Sequence, residues 1–254
     1  MNQLYTRSSL QADVRNRDEE MRADADSVAG PLPRAKNGKA YKGMAMEGFI
    51  ARWYARTQRK SIEQYRSWAK LASAHISEGG SVLEVAPGPG YLSIELARLG
   101  SYRIAGLDIS KTFVDIASEK AREADVEIEF RQGDAACMPF PDGAFDFAIC
   151  TSAFKNFPEP VKALDEIHRV LRAHGTALVV DMRREASAAE LIEYVNNMGL
   201  DRVNSFITKI IFKRMLLKSA YTKSQIQEFV ARSRFKTCDM VDEAVGREIW
   251  LTKS

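Results

Sequence analysis

Cysteine is scarce in this chain of 254 residues: Cys137, Cys150 and Cys238 stand far apart and form no C-x-x-C pair. That argues against a zinc ribbon or a disulfide framework and suits a reducing compartment. The three histidines, His75, His168 and His174, never fall at metal-ligand spacing, so no metal is expected. No apolar run is long enough to span a bilayer, and the polar start Met1-Asn2-Gln3 lacks the apolar core of a signal peptide. The expectation is a soluble, cytoplasmic protein. A net charge of only +3 gives no argument for a nucleic-acid partner, and no repeat, recognition module or aromatic-basic groove supplies one.

What the chain does have is 45% hydrophobic residues, enough for one large α/β domain with additions. Its organising stretch is Ser81 to Tyr91, Ser-Val-Leu-Glu-Val-Ala-Pro-Gly-Pro-Gly-Tyr. The first half suits a buried parallel strand; Pro87, Gly88, Pro89 and Gly90 then break both ladder and helix, so the chain turns. Leu92, Leu96 and Leu99 follow at helical spacing up to Gly100. Strand, glycine turn and helix make a cradle in which a ligand reaches the backbone closely. Tyr102 to Leu107 reads as a second strand with Asp108 at its end, about twenty residues on, where an acid meets a ribose diol in dinucleotide-type folds.

The ordered set Glu84-x-Ala86-x-Gly88-x-Gly90, then Asp108, then Gly133-Asp134-Ala135 after a third strand resembles the signature of class I S-adenosylmethionine (SAM) dependent methyltransferases. The resemblance implies a Rossmann-like α/β fold with a mostly parallel seven-stranded sheet, a C-terminal antiparallel hairpin and helical lid additions. It also implies SAM as cofactor and S-adenosylhomocysteine as product. Cofactor contacts are then expected from Glu84, Ala86, Pro87, Gly88, Gly90 and Tyr91 at the first tip, and from Asp108 and Ile109 at the second. Asp134 and Ala135 serve the third, Thr151 and Ser152 the fourth. Ala86 stands where that signature has its first glycine, so a negative φ is expected there. A G-x-G-x-x-G motif and a separate substrate domain, which a NAD-type oxidoreductase would carry, are not visible. A SAM-binding protein that does not methylate stays open.

Around this centre, residues 1–42 are polar and charged and read as a flexible extension, and 43–254 as the methyltransferase domain. Residues 43–76 read as cap helices with Ile50, Trp53, Tyr54, Trp68 and Leu71 on the apolar side; Trp53 and Tyr54 are candidates to face the sulfonium or an aromatic substrate. Phe145 to Cys150 reads as a central strand, and the loop beyond it holds Phe154, Lys155 and Asn156 as substrate candidates. Phe154-Lys155-Asn156-Phe157, with Glu166 to Leu171 downstream, is similar to the Arg-Asn loop and following helix of ubiquinone and menaquinone biosynthesis C-methyltransferases, with Lys155 where that group has Arg. Thr176 to Asp181 reads as the fifth strand. Beyond it Asp181 is a candidate proton acceptor and Arg183 a candidate for an anionic substrate group, or the two pair with each other. Tyr54, Lys155, Asn156 and Asp181 are the catalytic candidates, with no general base singled out. Residues 187–223 read as a lid insertion, with an amphipathic helix over 206–218, and two strands, Phe235 to Met240 and Arg247 to Leu251, close the chain. The acceptor is expected to be small and hydrophobic or aromatic, methylated on O, C or S by in-line displacement.

Overall fold

A computed structural model describes residues 46–58, 61–197 and 219–254. The expected N-terminal extension and the helix over 206–218 lie outside the described residues. Helices α1 (Gly48–Gln58) and α2 (Ile62–Ser73) precede the sheet. Then follow β1 (Ser81–Val85), α3 (Tyr91–Ala97), β2 (Arg103–Asp108), α4 (Lys111–Glu123), β3 (Glu129–Gln132) and β4 (Phe145–Thr151). The second half has α5 (Pro160–Val170), β5 (Leu171–Met182), α6 (Ala188–Asn197), α7 (Lys223–Arg232), β6 (Asp239–Glu243) and β7 (Gly246–Thr252). The seven strands lie in the order β3-β2-β1-β4-β5-β7-β6, parallel except where β7 pairs antiparallel with β5 and β6. The expected seven-stranded, mostly parallel sheet with its C-terminal antiparallel hairpin is present.

Two apolar layers explain why β1 and β4 are buried along nearly their whole length. On one face Leu83, Val85, Ala148 and Cys150 pack with Leu164 and Ile167 of α5 and Ile226 and Val230 of α7. On the other, Val82, Phe147 and Leu178 pack with Ala69 and Ala72 of α2 and Leu92 and Leu96 of α3. A strand covered on both faces needs apolar side chains at successive positions, and Ser81 to Val85 supplies them around one carboxylate, Glu84. Serine at the N-cap starts α4, where Ser110 Oγ accepts the Phe113 N–H at 3.1 Å. Thr222 and Gln225 form a capping box on α7.

Three local expectations need correction. The buried residues of α1 and α2 are Ala51, Ala55, Ala69 and Ala72, and Trp68 and Leu71 pack half-buried against the core on the expected side, but Trp53 is 57% and Phe49 81% exposed. Alanine lets a helix lie close to its neighbours, and on α1 the Trp53 and Phe49 rings turn outward. Strand β5 starts at Leu171, directly after α5, and not at Thr176. Between them the strand is irregular, with His174 at φ +63° and a register shift opposite Phe145 and Phe147. The penultimate strand begins at Asp239 because Phe235 is buried edge-on to His168 and the chain turns at Lys236, φ +66°.

Candidate functional site

Parallel pairing puts the carboxyl ends of β1 to β5 on one rim of the sheet, where open α/β folds hold ligands. At β1 the chain leaves through Ala86, whose N–H donates to the Leu107 carbonyl at 2.8 Å. Ala86 has φ +58°, the left-handed region, contrary to the expected negative value. The turn demands this conformation whichever residue stands there. An alanine at that φ costs roughly 1–2 kcal/mol, against about 0.5–1 kcal/mol for the extra chain entropy of glycine. Ala86→Gly is therefore expected to stabilise the fold by about 0.5–1 kcal/mol, read as a higher melting temperature.

Gly88 and Gly90 also take positive φ, +53° and +78°. A Cβ on Gly88 would meet nothing within 4 Å, so the space above this turn is open. A Cβ on Gly90 would lie 2.9 Å from Ala117 Cβ and 3.0 Å from Phe130 Cζ. One glycine thus leaves room for a ligand and the other lets α3 settle against α4 and β3.

Asp108 ties this turn to β2. Its Oδ2 accepts the Gly88 N–H at 2.9 Å and its Oδ1 the Ser110 N–H at 2.9 Å. The side chain is buried, and burial pushes its carboxyl up to about 6; the Ser110 and Gly88 N–H groups pull against this, and the charge of Glu47 adds to it. Glu84 is buried beneath the turn, where its Oε2 accepts the Ser93 N–H at 3.0 Å and a short bond from the Ser93 hydroxyl. Burial pushes its carboxyl up to about 7 against the two Ser93 bonds. Tyr91 is also buried, its hydroxyl donating to the Ala55 carbonyl at 3.1 Å and so joining the cap to α3.

The tips of β2 and β3 are linked by Gly133 N–H to the Asp108 carbonyl, 2.9 Å, and by Gln132 Nε2 to the Ile109 carbonyl, 3.1 Å. Asp134 stands two residues past β3. Its Oδ1 accepts the Ala136 N–H at 2.9 Å in a tight turn that leaves Oδ2 for another donor, and Ala135 is half-buried beside it.

At the tips of β4 and β5 the candidates separate. Phe154 is 2% exposed and packs edge-on to Phe157 and Tyr221, so it belongs to the core and not to a substrate surface. Lys155 is neither solvated nor presented to a substrate: its Nζ lies 2.7 Å from Asp181 Oδ1, with side chains 5% and 7% exposed. Asp181 therefore does not pair with Arg183. The Arg183 guanidinium is taken by Glu190 and by the Ala244 carbonyl at 2.7 Å, which removes it as an anion holder. Asn156 is half-buried in a single 3-10 turn, Phe154–Asn156, Thr151 is buried, and Ser152 is exposed on the rim. On the cap side Trp53 points to solvent, while Tyr54 is half-buried edge-on to Phe113 at 5.9 Å.

Sequence reading missed Glu47. Its carboxylate accepts the Lys111 N–H at 3.0 Å, the Thr112 N–H at 3.2 Å and the Thr112 hydroxyl, while Ser110 Oγ donates to the Met46 carbonyl at 2.6 Å. Met46 to Gly48 thereby lie across the start of α4, next to Asp108. No local signal marks Glu47, because its partners are more than sixty residues away. Tyr65 was missed too: it lies 5.7 Å from the Tyr91 ring, bonds Gln58 Oε1 at 3.1 Å, and has its ionisation opposed by burial first and then by Tyr54 and Glu84. Among the described residues no group of three His, Cys, Asp or Glu gathers to hold a metal ion, and no helix is long and apolar enough to cross a membrane.

Comparison with known proteins gives three findings. Residues 83–179, from β1 through most of β5, match the family described as a methyltransferase domain. The chain is 32% identical over 156 residues to a demethylmenaquinone methyltransferase of Deinococcus radiodurans, covering 59% of this chain and 65% of that one. It is 33% identical over 122 residues to a ubiquinone/menaquinone biosynthesis C-methyltransferase of Geotalea uraniireducens, covering 46% and 52%. The chain thus spans about half to two thirds of the length of the curated relatives it matches. Among solved structures, a Methanococcus maripaludis protein assigned as a SAM-dependent methyltransferase superposes with a TM-score of 0.71 at 18% identity, covering 84% of this chain and 96% of that one.

Proposed function

We propose that this chain, whose residues 83–179 match a methyltransferase domain and whose fold is that of class I methyltransferases, transfers a methyl group from SAM to a small aromatic or hydrophobic acceptor. The observation that carries the reading is the buried Asp108 carboxylate at the tip of β2, bonded to the glycine turn of β1 through Gly88. Each carboxylate oxygen keeps a lone pair beyond its N–H bond, the space above Gly88 is open, and a ribose diol offers two donors for those lone pairs. Glu84 and the turn then organise the methionine end, Asp108 the ribose, and Asp134 with Ala135 the adenine. Thr151 and Ser152 border the methyl.

A methyl group on a sulfonium is already an activated electrophile. What remains for the protein is to hold the acceptor atom in line with the carbon–sulfur bond and to keep water out. Tyr54 on the cap and Asn156 on the β4 loop stay as groups that can orient an acceptor. The names of the relatives favour an aromatic ring of the hydroquinone type, methylated at a ring carbon. The test is incubation of the full chain with methyl-labelled SAM and reduced 2-prenyl-1,4-naphthoquinone, beside a metabolite extract, with mass spectrometry of labelled products. Label in the hydroquinone ring supports the acceptor. Label elsewhere keeps the methyl transfer and replaces the acceptor. Tight binding of SAM with no S-adenosylhomocysteine formed favours a non-methylating SAM-binding protein.

The raised carboxyls make ligand affinity and stability depend on pH in opposite directions. Ribose hydroxyls donate to ionised Asp108, so affinity for SAM should tighten about tenfold between pH 5 and 7 as the carboxyl near 6 ionises. Stability without ligand moves the other way. Folding favours the neutral forms of Asp108 and Glu84 over their ordinary values of 3.8 and 4.5, so their contribution is present at low pH and is lost as pH rises through about 6 and 7. Calorimetry of binding and melting curves across this range read both, and Asp108→Asn should flatten the first.

A further inference from the structure

The buried pair of Lys155 and Asp181 sits under the rim and spends its hydrogen bonds on main chain. Lys155 Nζ donates to Asp181 Oδ1 at 2.7 Å and to the Ser152 carbonyl at 2.5 Å. Asp181 in turn accepts the N–H of Lys155 at 2.9 Å and the N–H of Met182 at 2.8 Å. Every polar contact of the pair therefore ends on the loop after β4 or on the tip of β5. Such a buried pair adds little net stability over an apolar one of the same size, but it fixes the groups it touches. Below it Cys150 is buried, its thiol pushed up first by burial and further by the Asp181 charge, which leaves it unreactive at neutral pH.

The group it fixes is Ser152. This residue has φ +58°, a conformation a non-glycine residue keeps only when its surroundings impose it. Two bonds impose it here: the Ser152 N–H to the Val180 carbonyl at 2.7 Å, and the Ser152 carbonyl from Lys155 Nζ. The left-handed kink stops β4 from continuing and turns the exposed Ser152 side chain onto the rim. There β4 neighbours β1 in the sheet, with Ile149 in register with Glu84.

We propose that Lys155 is a positioning residue, which with Asp181 locks Ser152 at the tip of β4 beside the glycine turn, so that the cofactor's seat is complete before the cofactor arrives. This rests on the SAM-binding reading above.

The test uses the full chain, with S-adenosylhomocysteine as probe. Lys155→Met alone strands a buried carboxylate and risks unfolding, so the deciding variant is the double substitution Lys155→Met with Asp181→Asn, which removes both charges together. Amide hydrogen exchange without ligand should quicken at least tenfold at Ser152 and Lys155 while Cys150 and Val179 keep their protection. Calorimetry on the folded variant should give a Kd about tenfold weaker, and Lys155→Arg, which keeps a buried cation with donors, should recover most of both. Unchanged exchange overturns the inference, since the pair then holds nothing. Faster exchange with an unchanged Kd overturns it as well, because the pair is then only structural. A parent chain that binds no S-adenosylhomocysteine fells the functional reading first and this inference with it, an outcome distinct from a parent that binds and variants that do not differ.

Discussion

Asp108→Ala should weaken SAM binding roughly 30- to 1,000-fold at pH 7.5, about 2–4 kcal/mol, by removing two charge-assisted hydrogen bonds to the ribose. The loss has a second source. The same carboxylate accepts the N–H groups of Gly88 and Ser110, so alanine leaves both donors without their partner and frees the β1 turn from β2. Asp108→Asn separates the two effects, since its amide oxygen still accepts one N–H while the charge is gone. Calorimetry should rank the parent chain tightest, Asn intermediate and Ala weakest. An affinity in Asp108→Ala within twofold of the parent would falsify the ribose assignment.

Gly90→Val should cost about 2–5 kcal/mol of stability and abolish binding. A β-branched residue at φ +78° carries roughly 1–2 kcal/mol of backbone strain or more, and forcing its Cβ against Ala117 and Phe130 adds about 1–3 kcal/mol of overpacking. Against a total of about 5–15 kcal/mol, that is a large fraction. Gly88→Ala is the contrast: its Cβ meets nothing within 4 Å, so only the backbone cost applies. The fold should survive with a modest drop in melting temperature while SAM binding falls, because the methyl group enters the open space above the turn. Melting curves that drop equally for both substitutions would show that Gly88 packs against protein and does not border a ligand.

Ser81 to Tyr91 illustrates how much of the site could be read before any coordinates. A strand buried on both faces must be apolar along its length, and a Pro-Gly-Pro-Gly run can be neither strand nor helix, so the turn and its place at the rim follow from residue chemistry. Asp108 followed from spacing along the chain for the same reason: strand, turn, helix and strand have fixed rises per residue. The conformation at Ala86 did not follow. Its φ is imposed by the bond from its N–H to the Leu107 carbonyl on the neighbouring strand, and residue type alone favoured the opposite sign.

The side-chain partners at the far rim were less legible still. Lys155 and Asp181 are separated by 26 residues, as are the N–H of Lys155 and the carboxylate that accepts it. From the sequence, Lys155 in the loop after β4 reads as a substrate contact, and Asp181 as a proton acceptor or the partner of nearby Arg183. The fold brings the tips of β4 and β5 together, buries the lysine and hands the arginine to Glu190. Glu47 behaves in the same way, capping a helix more than sixty residues downstream.

The amino-acid order by itself determined the strand–turn–helix frame, the two carboxylates that follow it and the closing hairpin, because periodicity, glycine and proline act over a few residues. Which charges meet, which rings face solvent and which backbone angles are forced were decided only by the packed sheet. Those depend on distances between segments remote in the chain, and a carboxylate or a lysine has no preference for one partner until burial removes water as the alternative.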